Sequence, residues 1–302
     1  MAFYKFSVTE FMTIIQDMLA KYDCRNATDY RNALKEIIQE VALCGMSHSG
    51  FFQIGAFYGG TALRIFHGLR RFSEDMDFSL ISPSKDFDFE KYLSGMRQEL
   101  AAVGLQMTVE RKQKTKITPI QSAFIKGGTC VQVIHITGNE ADTKGLTKDE
   151  VLKIKVEVDT DPPADASYEM KYALRPVPFA VRLYDKPSLF AGKTHAVLCR
   201  SWNNRVKGRD FYDYVWYLSN NTPLNILHLQ RRLEQSGRWN PNDVLTLPIV
   251  KDMLNERFAA IDYAVAKKDV IDFIRTPAEL DVWSASFFSA ITENLTATSL
   301  NA

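Results

Sequence analysis

By composition alone, this chain has little to suggest a disulfide scaffold, a zinc ribbon, a membrane protein or a polyanion coat. Its four cysteines (Cys24, Cys44, Cys130 and Cys199) are scattered without C-x-x-C spacing, and its five histidines show no ligand spacing. The thiols therefore read as reduced cysteines of a cytosolic protein, with no zinc site expected. Charge is balanced at a net +1, so no global signature for nucleic acid exists. No apolar run reaches the roughly 20 residues of a membrane span. The opening MAFYKFSVTEFM carries one lysine and soon turns amphipathic, so a signal peptide is not expected, and the cytoplasm is the expected location. Internal repeats and low-complexity segments are also missing. What remains is a chain of 302 residues, 46% hydrophobic and 24% charged, with room for two globular cores.

The most informative stretch is YGGTALRIFHGLRRFSEDMDFSL, residues 58–80. Gly59 and Gly60 let backbone approach a phosphate closely and adopt positive φ. Thr61 opens a short amphipathic helix in which Ala62, Leu63, Ile65 and Phe66 can be buried. The N–H groups at such a helix start favour an anion. Asp75 and Asp77 stand two apart in an apolar run, so on a strand both carboxylates project to one face while Met76 and Phe78 point to the core. Paired carboxylates suit Mg²⁺ or Mn²⁺, hard cations held through carboxylates, water and substrate phosphates. Two such ions can stabilise both the attacking and the leaving oxygen of an in-line displacement. A third carboxylate is expected on a neighbouring strand. LKIKVEVDTDPP, residues 152–163, alternates with period two and carries Glu157 and Asp159 on its polar face. Glu157 is favoured because Asp159 lies nearer the strand end, although the same pattern also describes a surface strand of mixed charge.

The chain divides into three parts. Residues 1–50 read as two helices packing on the catalytic domain, the first with a Ser7–Glu10 capping box, the second capped by Thr28 or Asp29. Residues 51–186 alternate strands and helices: strands at 52–58, 74–80, 105–112, 121–126, 130–136, 152–158 and 178–183, a helix near 87–103, and a loop over 138–150. From 187 to 302 the periodicity is helical, with segments near 187–200, 208–219, 223–236, 241–258, 262–274 and 278–294. An α/β (α+β) domain followed by an all-helical C-terminal domain is the expected architecture. In the 208–219 helix, Phe211, Val215 and Leu218 form an apolar stripe, with Asp210, Asp213 and Tyr217 on another face. Arg209 and Asp213 could also pair at i,i+4. Basic residues cluster as Arg111, Lys112, Lys114 and Lys116, and as Arg200, Arg205, Lys207 and Arg209, weak pointers to a phosphate backbone.

GGTALRIFHGLRRFSEDMDF resembles the first motif of the AbiEii-type toxin nucleotidyltransferases, a branch of the polymerase-β-like superfamily related to the MenT toxins. That motif pairs a Gly-Gly/Ser-Thr turn with an Arg-Phe-Ser-x-Asp-x-Asp run, here Arg71 to Asp77. The similarity continues through the 153–159 strand to Ala191-Gly192-Lys193 and to Lys207, Arg209, Asp210 and Asp213, the last group one residue tighter than the commonest spacing. It covers roughly residues 50–290. It implies a nucleotidyltransferase-type mixed sheet flanked by helices. It further implies Asp75, Asp77, Lys193 and Asp210 as catalytic residues, with Asp213 a possible addition. Gly59, Gly60, Thr61, Ser73, Lys193, Lys207 and Arg209 would bind nucleotide, and Asp75, Asp77 and Glu157, or alternatively Asp159, would hold metal. The implied reaction transfers a nucleoside monophosphate from a nucleoside triphosphate to an acceptor, tRNA in some relatives, with Asp210 orienting the acceptor or acting as general base. A phage-defence, abortive-infection role and a cognate antitoxin encoded nearby follow from the same resemblance. Other readings share the fold: a small-molecule or protein acceptor, or a silent nucleotide-binding regulator.

Overall fold

The computed structural model describes residues 8–112, 118–137, 139–200 and 206–298. Its backbone separates into two compact units. The first comprises residues 1–66, 72–162 and 170–183; the second comprises 67–71, 163–169 and 184–302.

The first unit is built on a mixed sheet. Its strands are β1 (Gly55–Tyr58), β2 (Met76–Leu80), β3 (Thr108–Arg111), β4 (Ile120–Gly128), β5 (Val151–Asp159), β6 (Tyr168–Ala173) and β7 (Phe179–Tyr184), in the order β3-β4-β5-β2-β1-β7-β6. The short strand β1 is antiparallel to β2 and parallel to β7, while β2 is parallel to β5. The central strands are apolar on alternate positions: Met76, Phe78, Ile154, Val156 and Val158 are fully buried, as period-two patterning requires of a face turned to a core. Helices α1 (Val8–Ala20), α2 (Ala27–His48), α3 (Gly59–His67), α4 (Glu90–Ala102) and α5 (Thr129–Thr137) accompany this sheet. One apolar cluster joins them, from Ile37, Ile38 and Val41 of α2 to Leu93 and Met96 of α4 and Phe78 of β2.

Three sequence expectations are corrected here. Residues 130–136, rich in β-branched side chains, form helix α5 instead of a strand. The buried residues Thr129, Gln132, Val133 and Ile136 recur at i, i+3, i+4 and i+7, and that period overrides local β-propensity. Gln132 fixes the helix through both its amide atoms, accepting from Gln106 N at 3.2 Å and donating to Gln106 O at 3.1 Å. The cap of α2 is Asn26, whose side chain accepts from the backbone N–H groups of Thr28 and Asp29, so those two residues occupy the first turn. Strand β6 went unread because Met170 and Tyr172 are exposed at the sheet edge, where no buried alternation marks a strand. Ser7 of the expected capping box lies outside the described residues.

The second unit is helical: α6 (Lys186–Cys199), α7 (Gly208–Ser219), α8 (Ile226–Gln235), α9 (Leu247–Ala259), α10 (Tyr263–Val270) and α11 (Ala285–Thr292). Aromatic rings dominate its core. Phe190 stacks on Tyr217 at 4.5 Å between centroids, and Phe288 meets Phe211 at 5.6 Å and Phe258 at 5.0 Å. The apolar stripe of α7 is shifted from expectation. Tyr214 and Tyr217 are buried, while Val215 and Leu218 are half-buried. Among the described residues, no helix is long and apolar enough to cross a membrane.

Helices α2 and α4 cross where both lack side chains. A Cβ on Gly45 or on Gly95 would lie 2.6 Å from the other's carbonyl oxygen. Gly45→Ala is therefore expected to destabilise the protein by about 1–3 kcal/mol, the usual scale for overpacking, as measured by urea denaturation. An unchanged midpoint would remove the close crossing.

Candidate functional site

Two clusters carry the sequence-predicted residues, one in each unit.

In the first unit, β1 runs straight into α3. The chain turns at Gly59, whose φ of 83° lies in the left-handed region, and a Cβ there would meet the Oδ2 of Asp77 at 2.6 Å. Glycine thus permits both the turn and the approach of backbone to carboxylate. Gly60 and Thr61 follow in the first turn of α3, whose leading N–H groups have no partner within the helix. The buried Thr61 hydroxyl donates to the main-chain carbonyl of Asp75, tying the helix start to the segment entering β2. From the other side, Gln39 of α2, itself buried, donates its amide to the carbonyls of Ser73 and Glu74 at 3.1 and 3.0 Å. The approach to Asp75 and Asp77 is therefore clamped on both sides.

Register distinguishes the two candidate carboxylates of β5. Asp77 lies directly opposite Glu157 on the parallel neighbour β5, whereas Asp159 lies opposite Ser79. Asp159 is two residues further on, away from Asp75, and it accepts from the backbone N–H of Asp161 at 3.0 Å, a local turn. Glu157 accepts from Ser122 at 2.9 Å and Lys155 at 2.5 Å, so its carboxylate is already oriented. The donor set of Asp75, Asp77 and Glu157, all carboxylate oxygens, is what a hard divalent cation takes. Their oxygens are not gathered within 4.8 Å of one another, since among the described residues one other trio meets that limit.

In the second unit, the predicted residues form an ion cluster. Arg71 reaches Asp213 through two parallel bonds, Nε–Oδ1 and Nη2–Oδ2, both 2.6 Å. Lys193 of α6 lies 2.7 Å from Asp210 and 2.8 Å from Asp213, and Arg200 pairs with the second oxygen of Asp210. Asp213 is 0% exposed and Arg71 3%. Burial pushes the Asp213 carboxyl up, but the charges of Arg71 and Lys193 outweigh it and hold that carboxyl below its ordinary value. Such a group stabilises the fold above the ordinary carboxylate range and loses its contribution as pH falls through the depressed value. Asp213 therefore sits inside the structure, on a helix face expected to be open. The anticipated Arg209–Asp213 pair gives way to these partners. Arg209 instead lies 3.9 Å from Asp269 and over the ring of Phe273. Lys207 precedes α7 at the N-cap position. Arg200 keeps an exposed side chain while it pairs with Asp210, and Arg209 is largely buried. Lys114, Lys116 and Arg205 lie outside the described residues. Sequence reasoning quoted Arg71 only as a motif letter. Its position immediately before the Phe-Ser-x-Asp-x-Asp run was the available signal.

The family model described as "Nucleotidyl transferase AbiEii toxin, Type IV TA system" matches residues 41–287. The chain belongs to this family. As an AbiEii protein it is a nucleotidyltransferase toxin of the type IV toxin–antitoxin class. Among solved structures, MenT4, a nucleotidyltransferase toxin from Mycobacterium tuberculosis H37Rv, is similar at 14% identity, over 95% of this chain and 90% of that one, with a TM-score of 0.52. JHP933 from Helicobacter pylori matches at 16% identity over 87% and 90% of the two chains, with a TM-score of 0.47. No curated protein matches the chain. The MenT4 likeness agrees with the expected fold class, a mixed sheet flanked by helices with a helical C-terminal region.

Removing one member of the buried ion cluster of this AbiEii chain leaves a charge unpaired. Asp213→Asn is expected to lower stability by about 3–5 kcal/mol, read as a fall in thermal midpoint. A midpoint equal to that of the wild type would show that the Arg71–Asp213 pair is not formed.

Proposed function

We propose that this AbiEii protein transfers a nucleoside monophosphate from a nucleoside triphosphate to RNA, with tRNA as acceptor, in a reaction dependent on Mg²⁺ or Mn²⁺. The observation that carries the reading is the register of Asp77 against Glu157, set beside the positive-φ Gly59 at the start of α3. Asp75, Asp77 and Glu157 would hold the cation, which when bound neutralises charge developing on the phosphate oxygens. Gly59, Gly60 and Thr61 offer backbone N–H groups to the triphosphate. The Thr61 side chain is spent on Asp75, so its contribution to phosphate binding is its backbone. Ser73, half-buried before the aspartates with its carbonyl held by Gln39, is kept as a nucleotide contact through its hydroxyl.

In the reaction, an acceptor hydroxyl oxygen bonds to the α-phosphorus, the bond to the bridging oxygen breaks, pyrophosphate leaves, and the hydroxyl proton passes to a base. Both oxygens of Asp210 are ion-paired, one to Lys193 and one to Arg200, so both are already engaged by cations. We therefore assign Asp210 the task of holding Lys193, which would exchange one of its carboxylate partners for the triphosphate to offset its charge. Asp213 supports the same lysine from a buried position. Lys207 and Arg209, flanking the start of α7, are kept as phosphate contacts on the strength of the family resemblance. Modified tRNA would stop growth, and an antitoxin encoded nearby would restrain the enzyme.

The test is incubation of purified protein with Mg²⁺, each α-³²P-labelled nucleoside triphosphate in turn, and total tRNA. Wild type should label tRNA from at least one donor. Asp75→Ala and Asp77→Asn should lower the rate on the order of 10²–10³-fold, the scale for losing one electrostatic stabiliser of a transition state. Triphosphate binding without label on any RNA would overturn the RNA acceptor in favour of a small molecule, a protein or a silent binding role.

A further inference from the structure

Away from the carboxylates of β2 and β5, one trio among the described residues brings three metal-ligating atoms within 4.8 Å of one another: Cys44, His48 and Glu99. Cys44 and His48 stand at i and i+4 on α2, so they share one face. Glu99 comes from α4, one turn beyond Gly95. The trio meets because α2 and α4 cross at Gly45 and Gly95, close enough that neither position has room for a Cβ. Neither C-x-x-C spacing nor a histidine pair marks this trio in sequence: it is a C-x-x-x-H pair on one helix whose third ligand arrives from another helix.

The distances approach those of a bound ion. Cys44 Sγ lies 3.8 Å from His48 Nδ1, and Nδ1 lies 2.7 Å from Glu99 Oε1. A tetrahedral Zn²⁺ with ordinary bond lengths sets its sulfur and nitrogen ligands about 3.6 Å apart and its nitrogen and oxygen ligands about 3.4 Å apart. The S–N edge has nearly the right length, but Sγ lies 3.9 Å from Nε2 as well, so the exposed imidazole must turn to aim its Nδ1 lone pair at the ion. The N–O edge opens by less than an ångström when the ion replaces the hydrogen bond between imidazole and carboxylate. A thiolate, imidazole and carboxylate set suits zinc or cobalt, where Mg²⁺ would demand oxygen. Cys44 is fully buried and His48 is exposed, so an ion enters from the imidazole side and keeps one position for water.

We infer that Cys44, His48 and Glu99 form a site for one Zn²⁺-class ion that cross-links α2 to α4, distinct from the nucleotidyl-transfer residues. On binding, the Cys44 thiol proton passes to solvent, and Nδ1 of His48 gives its lone pair to the ion, with any proton on that nitrogen moving to Nε2. The ion then joins two helices that already meet through apolar packing and through Glu99.

The experiment is titration of the chelator-treated full chain with Co²⁺, followed by absorbance. One equivalent should produce a near-ultraviolet thiolate-to-cobalt charge-transfer band. That band should vanish in Cys44→Ser, persist in Asp77→Asn, and require at least tenfold more Co²⁺ in His48→Ala and Glu99→Gln. Zn²⁺ should displace cobalt and raise the thermal midpoint of wild type but not of Glu99→Gln. Because Cys44→Ser alters a buried position, the two variants at less buried ligands decide the matter if it fails to fold. A missing band, a band surviving Cys44→Ser (and so arising from another thiol), or an equal zinc-induced shift in Glu99→Gln would overturn the site.

Discussion

The parallel pairing of β2 with β5 is the constraint on which the rest of this AbiEii chain depends. A strand's side chains alternate faces, so a slip of one residue would turn Glu157 into the core and bring an apolar neighbour to the Asp77 level. The buried residues Met76, Phe78, Val156 and Val158 make that slip costly, since each carries about 1.5–3 kcal/mol of burial. Apolar packing on one face thus fixes carboxylate geometry on the other. The α3 start adds a second restraint. Gly59 presses its backbone against Asp77, and the Thr61 hydroxyl holds the carbonyl of Asp75. Chain turn, strand start and acidic pair are consequently one mechanical unit.

The helical unit solves a different problem. It buries Arg71, Lys193, Asp210 and Asp213 together, with Arg200 at the edge. Burying charges is costly unless geometry is good and hydrogen bonds are satisfied. The two-pronged Arg71–Asp213 contact and the shared lysine meet that condition. Fixing a lysine between two carboxylates limits its rotamers. Held by two carboxylates, it carries less net attraction for an anion than an isolated ammonium would. Asp210 and Asp213 together hold that lysine in place.

Much of the central sheet was legible because its signal is physical and local. Alternation in residues 74–80 and 152–158 marks strands with one face buried, and the Gly59-Gly60 pair marks a turn that few other residues can make. Sequence favoured Glu157 over Asp159 by nearness to the strand end; what it could not show is the register, which sets Asp77 opposite Glu157 and Ser79 opposite Asp159. What sequence did not disclose depends on tertiary partners. Segment 130–136 has strand-like residues, yet Gln132 and its neighbours are held as a helix by contacts to residue 106. Asp213 looked exposed on a helical wheel because its partner, Arg71, lies 142 residues away. The Cys44–His48–Glu99 trio escaped notice for the same reason, since its third member is 51 residues distant.

The central claim is that register selects Asp77 and Glu157, and not Asp159, as partners at one level of the sheet. Manganese binding tests it most directly. Mn²⁺ would be titrated into wild type, Asp77→Asn, Glu157→Gln and Asp159→Asn, with the aquo-ion signal followed by electron paramagnetic resonance. The account predicts at least tenfold weaker binding for Asp77→Asn and Glu157→Gln, with Asp159→Asn close to wild type. Loss of binding in Asp159→Asn with Glu157→Gln unaffected would contradict it.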